Sequence, residues 1–308
     1  MKLIEISVEA DGEAAEAISA VFNRYSGNGA VIEEVWRRQS ASSVVRVKTF
    51  LPAEQSDALP RIEEALWYLG RLYPIPAPAV HYLAEADWAE AWKSDFKTLR
   101  IGRRIVIKPS WQSYAAKPEQ VVIELDPGQA FGTGLHPSTR LILEVLERHV
   151  KPGDRVLDVG TGSGILAIAA AKLGAGKIVA LDIDPVALEV AHENVARNGA
   201  QDRISLQRAS LIPAAVPEPV FDFRDTWGGA FDLLLMNILA DVIVRSAGPI
   251  AACLTEGGQA IVSGILQAQE DAVRQALTAA GLSVVKRRSK KDWVALISRK
   301  DNWSREAV

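Results

Sequence analysis

The sequence has little that would mark a secreted, membrane-spanning or metal-binding protein. Its 308 residues include one cysteine, Cys253, so no intrachain disulfide can form and we expect a reducing, cytoplasmic environment. No apolar run approaches the ~20 residues of a membrane span, and the alternating N-terminal residues lack the apolar core of a signal peptide. The four histidines lack the spacing of metal ligands, so we expect no metal site.

A strong charge of either sign is also missing. The chain has 35 lysines and arginines against 38 aspartates and glutamates, a net charge of -3. That balance gives no electrostatic reason to expect binding to nucleic acid or to an anionic membrane. With 48% hydrophobic and 24% charged residues, the composition is that of a globular protein. At roughly 150 residues per domain, the length predicts about two domains.

Two patterns divide the chain. Residues 1–85 follow the order β-α-β-β-α-β, which predicts a small ferredoxin-like α+β domain. An aromatic and basic connector is predicted over residues 86–125. Residues 126–300 alternate apolar strands and helices, with Ala260–Ser263 among the strands. They predict an α/β domain with a doubly wound, mostly parallel, seven-stranded sheet that ends in an antiparallel hairpin. Residues 301–308 form a tail.

The most informative motif is Val156–Gly164, a β-branched strand followed by glycines at alternate positions: Gly160, Gly162 and Gly164. A dinucleotide-binding loop has the spacing G-x-G-x-x-G, but here Ile165 stands where its last glycine would be. Asp158 before the glycines suits a cationic ligand better than a pyrophosphate. The pattern is typical of S-adenosylmethionine-dependent methyltransferases, whose cofactor carries a sulfonium, an ammonium and no phosphate. A strand-to-helix turn with spare glycines is the structural alternative.

Two later strands end in polar side chains. Asp182 lies about twenty residues after the glycines, where a carboxylate can accept both ribose hydroxyls; a solvated strand end is the alternative. Asp184 and Pro185 are typical of a helix N-cap followed by proline. Asn237 follows the fourth strand, at the edge where open parallel sheets bind ligands. We expect it beside the methyl group of the cofactor, although it could also cap the next helix.

A segment rich in glycine and hydroxyl groups, residues 126–139, precedes the sheet. Pro137 is predicted to start a helix, which places Thr139 in its first turn, where its hydroxyl can face the carboxylate of the cofactor or the glycine loop. Phe131 is placed to close over the methionine arm or the substrate lysine. His136 is interpreted as a structural turn residue rather than a catalytic base. The segment also contributes Thr133 and Gly134, which we expect near the cofactor.

Taken together, four segments resemble the PrmA family, methyltransferases that act on ribosomal protein L11 of the large-subunit stalk base: residues 126–139, 156–169, 182–185 and 237–240. The resemblance covers nearly the whole chain. It implies S-adenosyl-L-methionine as cofactor and methylation of lysine ε-amines and of the N-terminal α-amine. It also implies that the N-terminal domain binds the substrate and that the connector acts as a hinge. By motif position, the cofactor-binding residues are Thr139, Gly160, Asp182 and Asn237.

The resemblance leaves several alternatives open. Relatives with similar motifs methylate lysines of a flavoprotein subunit, but they generally lack the N-terminal domain. A dinucleotide oxidoreductase, a non-catalytic ribosome-binding module and a nucleic-acid methyltransferase are the other classes, and the Asn-Pro-Pro-Tyr signature of the last is absent after Asn237. No catalytic residue is assigned, except that Asn237 can position the amine. We expect a monomer that meets its ribosomal protein before or outside full ribosome assembly, with no direct nucleic-acid or membrane contact.

Overall fold

Two units of unequal size make up the fold, each with its own hydrophobic core. The computed structural model describes residues 3–10, 12–26, 30–34, 45–52, 57–71, 73, 75–83, 98–125, 136–212, 219–222 and 230–301. The chain divides into the units Met1–Phe96 and Lys97–Val308. Within the described ranges, no helix combines the length and the apolar character needed to cross a membrane.

The smaller unit is a four-stranded antiparallel sheet packed against two helices. Its elements in chain order are β1 (Leu3–Ala10), α1 (Gly12–Ser26), β2 (Val31–Glu34), β3 (Val45–Pro52), α2 (Ala58–Leu69) and β4 (Ala79–Leu83). The strands lie in the order β2-β3-β1-β4, and every neighbouring pair is antiparallel. Ile4, Ile6 and Val8 alternate along β1 with the two-residue period of a strand, and they share one core with Phe22 and Leu66 of the helices. This arrangement confirms the predicted ferredoxin-like unit.

The larger unit is built on a seven-stranded sheet with the order β10-β9-β8-β11-β12-β14-β13. The five neighbouring strands β10, β9, β8, β11 and β12 run parallel to one another, whereas β14 is antiparallel to both of its neighbours. The predicted doubly wound, mostly parallel sheet is therefore confirmed. The elements of this unit are β5 (Leu99–Ile101), β6 (Ile105–Lys108), β7 (Val121–Glu124), α3 (Pro137–His149), β8 (Arg155–Val159), α4 (Ile165–Leu173), β9 (Lys177–Asp182), α5 (Pro185–Arg197), β10 (Ile204–Arg208), β11 (Phe231–Asn237), α6 (Ala240–Cys253), β12 (Leu254–Leu266), α7 (Glu270–Ala279), β13 (Leu282–Lys290) and β14 (Trp293–Lys300).

Helices cover both faces of this sheet. Val156 of β8 belongs to the core formed with α3 and α4, whereas its neighbour Leu157 belongs to the core formed with α6 and α7. Both faces of each central strand are buried, which explains why the strands are apolar without alternation. Cys253 lies in the second core at 2% exposure, and burial raises the pKa of its thiol to about 12. Cys253 is therefore a small buried residue that packs in the core.

One strand of the sheet is much longer than the sequence predicts. β12 covers 13 residues, whereas the apolar pattern predicts a strand only over Ala260–Ser263. Leu254 already pairs with Phe231 of β11, and after an irregularity the pairing resumes between Gln259 and Leu233. Gly257 in that irregular stretch has a φ of 73°. The polar, glycine-containing stretch is a bulge within the strand rather than a turn that ends the preceding helix.

The described part of the predicted connector, residues 98–125, belongs to the larger unit. β5 and β6 form an antiparallel pair, and β7 runs parallel to β6. Glu147 of α3 fixes their turn, because its carboxylate accepts hydrogen bonds from the backbone N–H groups of Arg103 at 3.0 Å, Arg104 at 2.7 Å and Ile105 at 3.0 Å. The rest of the connector, residues 86–97, lies outside the described residues. The domain limits at 85 and 125, and the hinge, therefore stay predictions.

Candidate functional site

The glycine loop after β8 lies at the carboxyl ends of the parallel strands, beside the point where the strand order reverses between β8 and β11. Gly160, Gly162 and Gly164 have φ values of 70°, 54° and 80°, which glycine adopts without strain. A Cβ atom at Gly160 would lie 2.5 Å from Cγ2 of Ile238. A side chain there would push the loop away from the end of β11. Glycine therefore allows the two strand ends to enclose one site.

The carboxylate of Asp158, two residues before the glycines, points into the protein. The side chain is fully buried, and Oδ2 accepts hydrogen bonds from Oγ1 of Thr161 at 2.7 Å and from N–H of Ala167 at 3.2 Å. Burial raises its pKa to about 7, although the bonds from Thr161 and Ala167 oppose the shift. These contacts give Asp158 a structural role, because they hold the glycine loop against the start of α4.

Asp182 is the carboxylate that faces the site. It ends β9, and its two oxygens are fixed by backbone donors: Oδ2 accepts from N–H of Gly162 at 2.8 Å and Oδ1 accepts from N–H of Asp184 at 3.1 Å. Each carboxylate oxygen keeps a further lone pair for a ligand hydroxyl. Asp184, by contrast, caps α5, since its Oδ1 accepts from N–H of Val186 at 2.9 Å ahead of Pro185. The structural interpretation of Asp184 and Pro185 is confirmed.

Asn237 and Thr139 come together although they are 98 residues apart. Nδ2 of Asn237 donates a hydrogen bond to Oγ1 of Thr139 at 3.0 Å, and Thr139 is 1% exposed in the first turn of α3. Oδ1 of Asn237 is buried, and no partner for it is found among the described residues. Thr139 therefore orients the amide of Asn237, and at the end of β11 the buried Oδ1 has no partner in the part of the chain that the structure describes.

His136 caps the helix that carries Thr139. Its Nδ1 accepts from N–H of Ser138 at 3.3 Å and lies 2.7 Å from Oγ of Ser138. The imidazole ring meets the ring of Trp293 edge to face, with 4.5 Å between the centroids. These contacts agree with the interpretation of His136 as a structural residue, because they serve the N-terminus of α3 and the packing of β14.

A cavity of about 520 Å³ joins these elements, a volume typical of sites for small ligands. Three of the four residues assigned by motif position, Gly160, Asp182 and Asn237, line it; Thr139 lies behind Asn237. Gly162 and Gly164 shape the loop without lining the cavity. The lining residues are His136, Ser138, Val159, Gly160, Asp182, Ile183, Ala209, Ser210, Leu211, Met236, Asn237, Ile238, Leu239, Val242, Ser246, Gly264 and Trp293.

Several lining residues were missed by the sequence analysis. Ser210 and Leu211 follow β10, so the rule that ligands bind at the carboxyl ends of parallel strands could have found them. Gly264 and Trp293 belong to the antiparallel pair of β12 and β14, to which that rule does not apply. Only the folded sheet brings these two residues to the cavity.

Phe131, Thr133 and Gly134 lie outside the described residues, so their predicted places near the cofactor stay predictions. Within the described ranges, no group of three or more histidine, cysteine, aspartate or glutamate side chains is arranged to hold a metal ion.

The charges around the cavity restrict the ligand it can take. Asp182 is the one carboxylate among the described lining residues, and no lysine or arginine is among them. A pyrophosphate would need cationic partners or free backbone donors, but N–H of Gly160 and N–H of Thr161 already donate to Leu181 at 2.9 Å. The walls therefore fit a nucleoside with a positive charge, such as S-adenosylmethionine, better than a dinucleotide.

Comparisons with known proteins agree with this chemistry. The family model described as "Ribosomal protein L11 methyltransferase (PrmA)" matches residues 2–301. A protein named ribosomal protein L11 methyltransferase from Chloroflexus aurantiacus is 44% identical, and the match covers 96% of this chain and 98% of that protein. A protein of the same name from Pelotomaculum thermopropionicum is 42% identical, and the match covers 97% of this chain and 99% of that protein. A crystal structure of ribosomal protein L11 methylase from Lactobacillus delbrueckii subsp. bulgaricus matches with a TM-score of 0.58 and 35% identity, over 67% of this chain and 100% of that one. The resemblance predicted from the four motifs is confirmed, and the chain belongs to the PrmA family of ribosomal protein L11 methyltransferases.

Proposed function

We propose that the protein transfers methyl groups from S-adenosylmethionine to lysine ε-amines, and to the N-terminal α-amine, of ribosomal protein L11. The observation that carries the proposal is the cavity where Asp182 and Asn237 converge without any described lysine or arginine. Membership of a methyltransferase family supports the reaction class. The names of the relatives support the substrate, and the small ferredoxin-like unit supports it further, because lysine methyltransferases of a flavoprotein subunit generally lack such a domain.

Asp182 is the residue that would hold the ribose. Its carboxylate is already oriented by N–H of Gly162 and N–H of Asp184, so little ordering is needed when it accepts two hydroxyl groups. Ile183 and Leu211 line the same cavity and provide apolar walls for the adenine ring. When bound, S-adenosylmethionine supplies a methyl group on a positively charged sulfur, which the negative charge of Asp182 and the lack of nearby cations tolerate.

Asn237 is the residue that would position the amine. Its Oδ1 has no partner among the described residues, and leaving such a buried acceptor unpaired costs about 1–3 kcal/mol. An amine N–H can satisfy it, which directs the nitrogen lone pair away from Asn237. The bond from Nδ2 to Thr139 prevents the amide from turning. Placing the reacting groups in this way lowers the barrier by up to ~7–11 kcal/mol in favourable cases.

The lysine must lose its proton before transfer, since its ordinary pKa is about 10.4. Among the described lining residues no histidine–carboxylate pair is arranged as a base, because Nδ1 of His136 is engaged with Ser138. Leu239, Val242 and Trp293 contribute apolar side chains to the wall of the cavity. Apolar surroundings favour the neutral amine, so desolvation is the proposed route to the nucleophile.

The substrate is tested by incubating the full-length protein with labelled S-adenosylmethionine and purified ribosomal protein L11, followed by mass spectrometry of the modified residues. We expect label on lysine side chains and on the N-terminal amine. A parallel incubation with a whole-cell protein extract tests the alternative. Label confined to another protein, such as a flavoprotein subunit, would reject the substrate and keep the reaction class.

Two further parts of the proposal concern the state of the protein. We propose that it acts as a monomer in the cytoplasm on ribosomal protein that is not yet part of a complete ribosome. The single buried cysteine is compatible with a reducing compartment. Sedimentation of the purified chain across a range of concentrations tests the monomer, and a mass that doubles with concentration contradicts it.

A further inference from the structure

A second cavity of the larger unit, about 330 Å³ in volume, has the opposite character from the first. Its lining includes four cations, Arg103 of the β5–β6 turn, Arg148 of α3, and Lys286 and Arg288 of β13, together with the carboxylates of Glu144 and Glu147. In the described part of the chain, none of these four side chains has a hydrogen-bond or ion-pair partner. We call this the cationic cavity.

The carboxylates beside these cations are already engaged. Glu147 accepts three sets of backbone hydrogen bonds from the β5–β6 turn. Glu144 pairs with Lys290 at 3.2 Å. The cavity is therefore lined by four cationic side chains and two carboxylates, and it keeps an excess of positive charge that attracts an anion.

The pairing of β13 explains how the cations form a row. From Lys286 to Lys290 the strand pairs regularly with β14, so Lys286, Arg288 and Lys290 share one face at about 6.6–6.8 Å intervals. Lys290 reaches Glu144 of α3, which places that face on the α3 side. Arg287 points to the opposite face, where it pairs with Glu270 of α7 at 2.8 Å.

Protection of a sheet edge does not account for this arrangement. Lysines on an edge strand do prevent edge-to-edge aggregation, and β13 is the edge strand of the described sheet. Arg103 and Arg148 do not belong to the edge strand, since they come from a separate turn and from α3. Edge protection therefore does not explain their presence. Their convergence with Lys286 and Arg288 on one concave surface indicates a ligand.

We propose that the cationic cavity and the α3 side of β13 bind the phosphate backbone of single-stranded RNA. A row of cations complements a polymer with a negative charge at every residue, and arginine fits phosphate geometry in bidentate fashion. An acidic peptide paired with the edge of the sheet would place its carboxylates beside Lys286 and Arg288 of β13, whereas a flexible phosphate chain can also follow the cavity to Arg103 and Arg148. The small net charge of the whole chain predicts no such binding, because it averages over this local excess.

Fluorescence anisotropy of the full-length protein with a labelled oligouridylate of about twenty nucleotides tests the proposal. We expect binding that weakens between about 50 and 200 mM KCl, with a slope of log K against log salt near -0.7 for each phosphate contacted. The variant Lys286→Glu/Arg288→Glu should bind at least ~10-fold more weakly, with a slope smaller in magnitude by about 1.4. The milder variant Lys286→Gln/Arg288→Gln removes the two charges without reversing them. It should lower the affinity and the salt slope in the same direction, which shows that the loss in the first variant does not come from unfolding.

Arg245→Glu is the matched control. Arg245 is an exposed arginine of α6, and α6 packs on the sheet face opposite to α3, so its reversal should change RNA affinity less than twofold. Failure of the unmodified protein to bind, an equal loss with Arg245→Glu, or equal affinity for polyglutamate would each overturn the proposal. Methyl transfer to free ribosomal protein L11 should be unchanged in all these variants, so failure of RNA binding leaves the proposed methylation unaffected.

Discussion

The two cavities of the larger unit share one domain and differ in charge. The cavity proposed for the cofactor contains Asp182 and no described lysine or arginine, whereas the cationic cavity gathers Arg103, Arg148, Lys286 and Arg288. The first lies at the carboxyl ends of the parallel strands, and the second lies between α3 and the antiparallel edge. A net charge of -3 describes neither of them. Ligand preference follows from the side chains that converge at each site, since short-range charge interactions exceed those of distant, screened charges.

The largest expected effect comes from removing the charge that distinguishes the first cavity. Asp182→Ala should weaken S-adenosylmethionine binding by at least ~10²-fold, because two hydrogen bonds to a charged group contribute about 1.5–3 kcal/mol each. Isothermal titration calorimetry measures the change. Asp184→Ala is the matched control: the same substitution two residues later removes the cap of α5 and should leave affinity within a few-fold. Equal losses in both variants would show that the loop, rather than the carboxylate, binds the cofactor.

The next effect concerns turnover rather than binding. Asn237→Ala should lower the rate of methyl transfer by ~10²-fold or more, because a misplaced amine loses near-attack geometry. Affinity for S-adenosylmethionine should fall far less than in Asp182→Ala, and the far-ultraviolet circular dichroism spectrum should change little. Thr139→Val should show a smaller loss of rate, since it removes only the bond that orients the amide. Near-normal turnover of Asn237→Ala would reject the positioning role.

A cation placed in the first cavity would make it resemble the second. Ile183 lines the cavity beside Asp182 and is 42% exposed, so Ile183→Lys can fold with its ammonium in solvent. Repulsion should weaken binding of the cationic cofactor about 10-fold, or about 1.4 kcal/mol, and the loss should shrink as salt is added. Ile183→Met, of similar length without charge, is the control. A loss of the same size in both variants, independent of salt, would point to shape rather than charge.

The smallest expected effect concerns stability. It is measured at Asp158, whose hydrogen bonds hold the glycine loop of the first cavity. Its folded pKa of about 7 lies above the ordinary value of 3.8, so the folded state binds the extra proton. Its contribution to stability is complete below about pH 4 and is lost as the pH rises to about 7. Asp158→Asn should remove that decline, of more than ~1 kcal/mol since one pKa unit corresponds to about 1.4 kcal/mol. Urea unfolding at several pH values measures it; an unchanged pH slope in the variant contradicts the assignment.

The success of sequence reasoning differs between elements for physical reasons. The runs Arg155–Val159 and Lys177–Asp182 predict strands, and β8 and β9 have the same bounds, because buried parallel strands are mostly apolar and end at glycine or a carboxylate. β12 was predicted too short because its first residues are polar and contain the bulge at Gly257. Pairing with β11 stabilises a stretch that local preference alone would leave as a turn.

The candidate site shows the same division. The predicted places of Asp182 and Asn237 at strand ends agree with the cavity, because strand direction and the parallel sheet together determine that edge. Asp158 was used as an argument for a cationic ligand, because its position relative to the glycines reveals charge but not the direction of the side chain. In the folded chain its carboxylate turns inward to Thr161 and Ala167.

The sequence alone determined the two kinds of domain, the order of their elements, the nucleoside-type loop and the family. Each of these depends on residues close together in the chain, through hydrophobic period, turn chemistry and motif spacing. Only the tertiary structure decided that Thr139 orients Asn237, that Trp293 reaches the cavity proposed for the cofactor, and that Arg103 and Arg148 join the cations of β13. Those contacts join segments far apart in the chain, and no local pattern encodes which distant side chains the folded sheet brings together.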